Sequence, residues 1–348
     1  MPVTERTSAL THIPSLDGLR GIAVLLVMAF HAKVPGARGG FLGVDVFFVL
    51  SGYLVVRLLR VEHDVSGGLD LRRFYTRRLR RIFPALVVML AAYLVLTPLL
   101  PEITNHARDA LVSATFLTDY ARGFWKVPFL QHTWSVAMEV RFYLLCAPAV
   151  VVLLRVPPAA RGWLIAGALV ALVGWRWTAG GGASWGRAYL RFDLRVAGLV
   201  FGAALGWWNP RFSAWLGVAG LLAIATAVAN TSFRDPYAFK IWVPLAEVGA
   251  AAVIASAERL PALGAQPLAW LGRRSYGIYL WHYPIFVWMR DVELLHWTTT
   301  IFVGGAVTIV VAAVSYRAVE ARFREGMRRR ISSPSAGGSP LPSGSNPW

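Results

Sequence analysis

Arg20 and His31 stand at the two ends of an otherwise hydrophobic stretch, LDGLRGIAVLLVMAFHAK (16–33), with ten apolar or small residues between them. In a helix, eleven residues at ~100° each make three turns plus about 20°, so the two side chains share a face, ~16 Å apart along the axis. A guanidinium is a fixed cation suited to phosphate, and an imidazole is suited to proton transfer near neutral pH. A long ligand with phosphates at one end and a reactive group at the other would span them. The alternative is an arginine that snorkels and a histidine that only bonds a neighbouring helix. The residues alone leave both open.

Three other stretches carry comparable groups. In GGFLGVDVFFVLSGYLV (39–55), Asp45 begins an apolar run and would lie close to His31 across a short loop. It either serves as helix N-terminal charge or orients the imidazole. Ser51, Gly52 and Tyr53 follow. Gly52 suits close helix packing, and the spacing around Ser51 supports no triad. In FYTRRLRRIFPAL (74–86), four arginines precede Pro84, and Arg78 and Arg81 share a face if the segment is helical. With Arg20 they would bind a polyphosphate. In HTWSVAMEVRFYLLCAP (132–148), Glu139 is the strongest buried carboxylate candidate. Trp134 and Tyr143 are interface anchors or substrate contacts, and Tyr53 and His282 join them as candidate substrate-binding side chains. His282 precedes Pro284, which loosens a helix locally, so a structural role there competes with a catalytic one. No His, Cys or carboxylate pair has metal-ligand spacing, and no metal is expected.

These groups must be held by membrane helices. Of 348 residues, 56% are hydrophobic and only 15% charged, less charge than a soluble domain of this length carries. The apolar residues fall in blocks that match a bilayer core. Ten spans are expected, near 18–33, 42–60, 82–100, 132–154, 161–178, 190–208, 213–230, 240–257, 269–289 and 297–319. The net charge of +17 does not point to nucleic acid, because the arginines cluster between apolar blocks instead of interleaving with aromatics on a soluble face. With ten spans, the arginine-rich segments 57–81, 155–161, 258–274 and the tail all fall on one side, which the positive-inside rule makes the cytoplasm. Both termini are then cytoplasmic. No small-x-small cleavage site follows the first span, which is therefore read as a membrane helix. Residues 1–15 form an N-terminal segment, 16–325 the membrane domain and 326–348 a Ser/Pro/Gly-rich tail read as disordered. The chemistry has to occur within the bundle or at its edges.

Taken together, Arg-x10-His, GFLGVDVFFVLSGYLV, the Arg-x-x-Arg pair before proline and TWSVAMEVRFYLL resemble the acyltransferase-3 family of integral membrane acyltransferases. RRSYGIYLWHYPIF and YRAVEARFR resemble the family's last two spans, so the likeness runs from about 15 to 325. Each stretch alone is weak; their order and spacing are specific. Two departures stand out. The family often has Glu-Glu-Gln where this chain has Glu139-Val140-Arg141, and Glu-x-Pro where it has Glu320-Ala321-Arg322. The resemblance implies transfer of an acyl group, often acetyl, from acyl-CoA to a hydroxyl of a surface polysaccharide, lipid-linked sugar or macrolide-like acceptor at the bacterial plasma membrane. Arg20, Arg78 and Arg81 would hold the CoA phosphates. His31 would be general base or transient acyl carrier, with Asp45 or Glu139 orienting it. The rival from another class is a transporter or flippase. Paired broken helices in corresponding halves would favour it, and only one break is evident, near Pro284.

Overall fold

The structure, a computed structural model, describes residues 12–121, 124–180 and 188–320. Among these residues all regular structure is helical, as a chain with no water to satisfy its backbone requires. Ten helices lie at the expected positions: α1 (Pro14–His31), α2 (Gly43–Ser66), α3 (Leu71–Leu96), α4 (Trp134–Arg155), α5 (Pro158–Ala179), α6 (Phe192–Trp208), α7 (Ala214–Asn230), α8 (Val243–Ala255), α9 (Ser275–Val287) and α10 (Gly305–Ser315). Seven segments are long and apolar enough to cross a membrane, and they contain α1 to α5, α8 and α10. Helices α6 and α7 have 17 residues each and α9 has 13, so their length alone does not identify them as spans. The protein is a polytopic helical membrane protein. The tail at 326–348 lies outside the described residues.

One boundary differs in a way that matters for the site. Helix α3 starts at Leu71, well before the expected span at 82, because Asp70 caps it by accepting the Arg73 N–H at 2.9 Å. Hydropathy registers only the apolar continuation, so the sequence left open whether the arginine run is helical. Arg78 and Arg81 therefore ride on a rigid element. Between α3 and α4 lie short helices at His106–Ala114 and Thr118–Ala121. Arg141 ties them to α4 through a two-pronged pair with Asp119 (Nη1 to Oδ2 2.6 Å).

Helices α2 and α6 meet at backbone distance. A Cβ at Gly52 would stand 1.9 Å from the Leu199 carbonyl oxygen, and one at Gly202 would stand 2.0 Å from that of Val49. Only glycine allows this approach, the usual way for membrane helices to gain packing energy where lipid competes on equal terms. The crossing carries a buried charge network. Arg195 Nη1 is 3.1 Å from Asp45 Oδ1, and Arg176 holds Glu247 with two bonds of 2.7 and 2.9 Å. The opposite surfaces carry large exposed apolar side chains, among them Trp163, Val170, Val95 and Phe302, as contact with hydrocarbon favours.

Candidate active site

Helices α1, α2, α3, α4 and α9 line two adjoining cavities. The first, about 60 Å³, is lined by Arg20, Ser51, Arg81, Glu139, Tyr143 and Ser275 among others. The second, about 270 Å³, has His31, Gln131, His132, Trp134, Tyr283 and Arg290 on its walls. Val44 and Tyr279 line both and form the partition between them. Arg20 and His31 thus open into neighbouring cavities from one face of α1. Helix α4 contributes to the first cavity with Ser135, Glu139 and Tyr143, spaced by four, and helix α9 serves both with Ser275, Tyr279 and Tyr283 at the same spacing.

In the arginine cavity, Arg20 donates from Nε and Nη2 to the Ser275 hydroxyl at 3.2 and 3.1 Å. The Ser51 and Tyr143 hydroxyls both donate to the Glu139 carboxylate. Arg81 lines the wall. Arg78 does not; it is buried behind, its guanidinium 5.2 Å from the Tyr143 ring and 5.6 Å from that of Phe74. Two cations and one carboxylate on the walls leave this cavity net positive, suited to an anionic ligand.

The histidine cavity is bounded by aromatic rings, Phe30, Phe41, Tyr189 and Phe233 completing the set. Its polar groups are anchored to backbone. Pro284 has no N–H to give the carbonyl four residues back, and that carbonyl, Leu280 O, is taken by His132 Nε2 at 3.1 Å. The helix runs on through Pro284, and the one hydrogen bond it lacks there leaves an acceptor for a histidine from another element. His282 Nδ1 lies 2.6 Å from Tyr279 O and 3.2 Å from Ile278 O, and its Nε2 is 3.0 Å from His31 Nδ1. Just past α9, Arg290 donates to the His31 carbonyl and to Asp291, and this hydrogen bond holds the Asp291 carboxyl below the usual carboxylate range. Lys33 Nζ lies 3.8 Å from the same carboxylate.

The partner of the His31 ring is therefore His282, and the two carboxylates expected to orient it are engaged elsewhere. Asp45 pairs with Arg195, and Glu139 lies in the arginine cavity. Asp45 still bears on the histidine cavity at one remove. Its partner Arg195 sits 5.4 Å from the Trp134 ring and 4.6 Å from that of Tyr189, both walls of that cavity. His282, expected on the substrate, is fully buried behind His31 and is not on the wall of either cavity. Tyr53 is also on neither; it accepts from Arg57 at 2.6 Å and donates to Asn209 at 3.1 Å, because two residues turn a helix by about 200° away from Ser51. Trp134 and Tyr143 line the histidine and arginine cavities respectively. Among the described residues no cluster of three metal-ligating side chains exists. The sequence reading passed over Ser275, Tyr279, Tyr283 and His132. The first three were legible as an i, i+4, i+8 polar stripe; His132 became significant only through a carbonyl 148 residues away.

Comparison with known proteins gives a consistent result. A family model described as an acyltransferase domain matches residues 13–317. Peptidoglycan O-acetyltransferase OatA of Listeria monocytogenes is 32% identical over 351 residues, covering 90% of this chain and 56% of the relative. Putative peptidoglycan O-acetyltransferase YrhL of Bacillus subtilis is 33% identical over 364 residues, covering 93% and 57%. O-acetyltransferase OatA of Staphylococcus aureus is 30% identical over 359 residues, covering 92% and 58%. The chain spans a little over half the length of these curated relatives. No solved structure matches it.

Proposed function

The chain belongs to the acyltransferase-3 family, and from that premise we propose that it transfers an acyl group, acetyl first among them, from acyl-CoA to a hydroxyl of a cell-envelope carbohydrate. The observation that carries this reading is the pair of adjoining cavities. One offers cations and the other a histidine, and the two share the wall formed by Val44 and Tyr279.

Arg20 and Arg81 bind the donor's phosphates at the mouth of the arginine cavity, with Arg78 stacked behind Tyr143 as support. Glu139 belongs to the donor side, where it fixes Ser51 and Tyr143. The pantetheine arm passes Val44 and Tyr279 and brings its thioester to His31. His31 takes the proton of the acceptor hydroxyl as the oxygen attacks the thioester carbonyl carbon. The C–S bond breaks, the ester forms, and the imidazolium returns the proton to the CoA thiolate. The acceptor sits among the aromatic walls, which suit a sugar ring; Trp134 and Tyr189 are held in place by Arg195 and, through it, Asp45. The relatives' names supply peptidoglycan as the first acceptor to try. The arginine-rich end faces the cytoplasm, where acyl-CoA is found, and the histidine cavity opens toward the other side.

The test needs no acceptor. Purified protein in detergent is assayed for acetyl-CoA binding and for slow thioester hydrolysis, as wild type, Arg20→Ala and His31→Ala. Arg20→Ala is expected to weaken binding at least tenfold. His31→Ala should bind normally and hydrolyse 10²-fold or more slowly, the order of a general base's contribution. No binding of any acyl-CoA by wild type would rule out the donor assignment.

A further inference from the structure

The hydrogen bonds around His31 determine which of its nitrogens carries the proton. His282 Nδ1 faces two backbone carbonyls, Tyr279 O at 2.6 Å and Ile278 O at 3.2 Å. A carbonyl can only accept, so Nδ1 must be the N–H. In a neutral imidazole the other nitrogen, Nε2, is then bare. That Nε2 lies 3.0 Å from His31 Nδ1, which must supply the proton of the shared hydrogen bond. His31 is left with Nε2 as its lone-pair nitrogen, on a ring that lines the cavity.

We propose that His282 is a positioning residue for acyl transfer. Referenced to the Tyr279 carbonyl, it accepts the Nδ1 proton of His31 and so presents the bare Nε2 of His31 to the acceptor hydroxyl. The proposal rests on reading His31 as the base. His282 itself is fully buried and on the wall of neither cavity, so it acts on the reaction only through His31. The three rings are held edge to face and tilted around this contact: His31 and His282 have centroids 5.1 Å apart, and Tyr283 meets the His31 ring at 4.8 Å and 86°. This packing limits rotation of His31, and the hydrogen bond to His282, beside one from the ring to the Val27 backbone, selects its tautomer. A neutral histidine here takes the place of the carboxylate that more commonly orients a catalytic imidazole. Among the described residues the histidine cavity has no carboxylate on its walls, so an acceptor carrying its own negative charge meets no repulsion from them.

The experiment uses the full chain in detergent or lipid, labelled with ¹⁵N-histidine, with the His31 signals assigned by their loss in His31→Ala. Wild type is expected to show His31 with a protonated Nδ1 and a bare Nε2. His282→Phe removes the acceptor and should give a mixed or reversed His31 tautomer. His282→Gln, whose side-chain carbonyl reaches the position of the lost Nε2, should restore it. In turnover, His282→Phe should lower kcat by roughly 10²-fold with KM unchanged, and His282→Gln should recover most of the loss. A wild-type His31 with bare Nδ1 would overturn the proposal, and so would unchanged tautomer and kcat in His282→Phe. If His282→Phe does not fold, wild type and His282→Gln decide by tautomer alone. The tautomer is read without any acyl donor, so failure of the acyltransferase reading and failure of this one are separable.

Discussion

Asp45 and Val44 are neighbours in sequence and about 100° apart around α2. That rotation puts Val44 on the partition between the cavities and Asp45 against Arg195. Asp45 and Arg195 are both essentially without solvent contact, at 1% exposure each, so neither charge has water to fall back on. Breaking such a pair by removing one partner costs about 3–5 kcal/mol, because the remaining charge stays buried and uncompensated, while replacing both by apolar groups is often near neutral. Asp45→Leu should therefore lower thermal stability in detergent strongly, and Asp45→Leu with Arg195→Met should recover much of it. Equal stability of the single variant and wild type would show that Arg195 finds its compensation in the rings of Phe48, Trp134, Tyr189 and Phe239 around it. The same distinction holds for the carboxylates as a group. Asp45 and Glu139 are legible in the sequence as candidate buried acids, but which lines a cavity and which pairs with an arginine depends on partners far along the chain.

Helices set these positions through their crossings. The α2–α6 contact depends on Gly52 and Gly202, each against a carbonyl oxygen that cannot move without disturbing its helix. Gly202→Leu should lose the folded, monodisperse protein on purification. Gly167→Leu, on α5 with nothing within 4 Å of the added Cβ, should behave as wild type. The comparison is made by size-exclusion profile and thermal unfolding in one detergent, and similar behaviour of the two variants would remove the packing argument. Helix α9 works differently. Its proline was legible as a break, and the break was expected to loosen the helix. In the fold the helix continues through Pro284 to Val287, and the freed carbonyl of Leu280 is taken by His132, so the proline that removes one hydrogen bond from α9 fastens the start of another helix.

At the scale of the molecule, Arg81 of the arginine run on α3 lines the arginine cavity, and Lys33 and Arg290 line the histidine cavity. The positive-inside rule then predicts a sidedness that can be measured directly. The chain has a single cysteine, Cys146, which is buried. In a Cys146→Ser background, Lys33→Cys should react with a membrane-impermeant maleimide on intact cells, and Arg273→Cys only after the membrane is opened. Reversed labelling would invert the orientation and put the histidine cavity on the donor's side.

The sequence by itself determined the class of the protein, the approximate places of its helices, the arginine clusters and the shared face of Arg20 and His31. All of these are local: a helix repeats every 3.6 residues and a bilayer has one thickness, so composition and spacing carry them. The family resemblance, read from short motifs in order, covered the same ground as the family match at 13–317. Only the tertiary structure decided the partners. His31 is held by His282, 251 residues away, Asp45 by Arg195, 150 away, and Ser51 by Glu139, 88 away. Such contacts follow from how helices cross, and crossings follow from which small residues and buried charges match across different segments. A single sequence read one segment at a time holds no record of those matches, so it named Arg20, Arg81, Glu139, Tyr143, His31 and Trp134 and left their arrangement on the cavity walls to the fold.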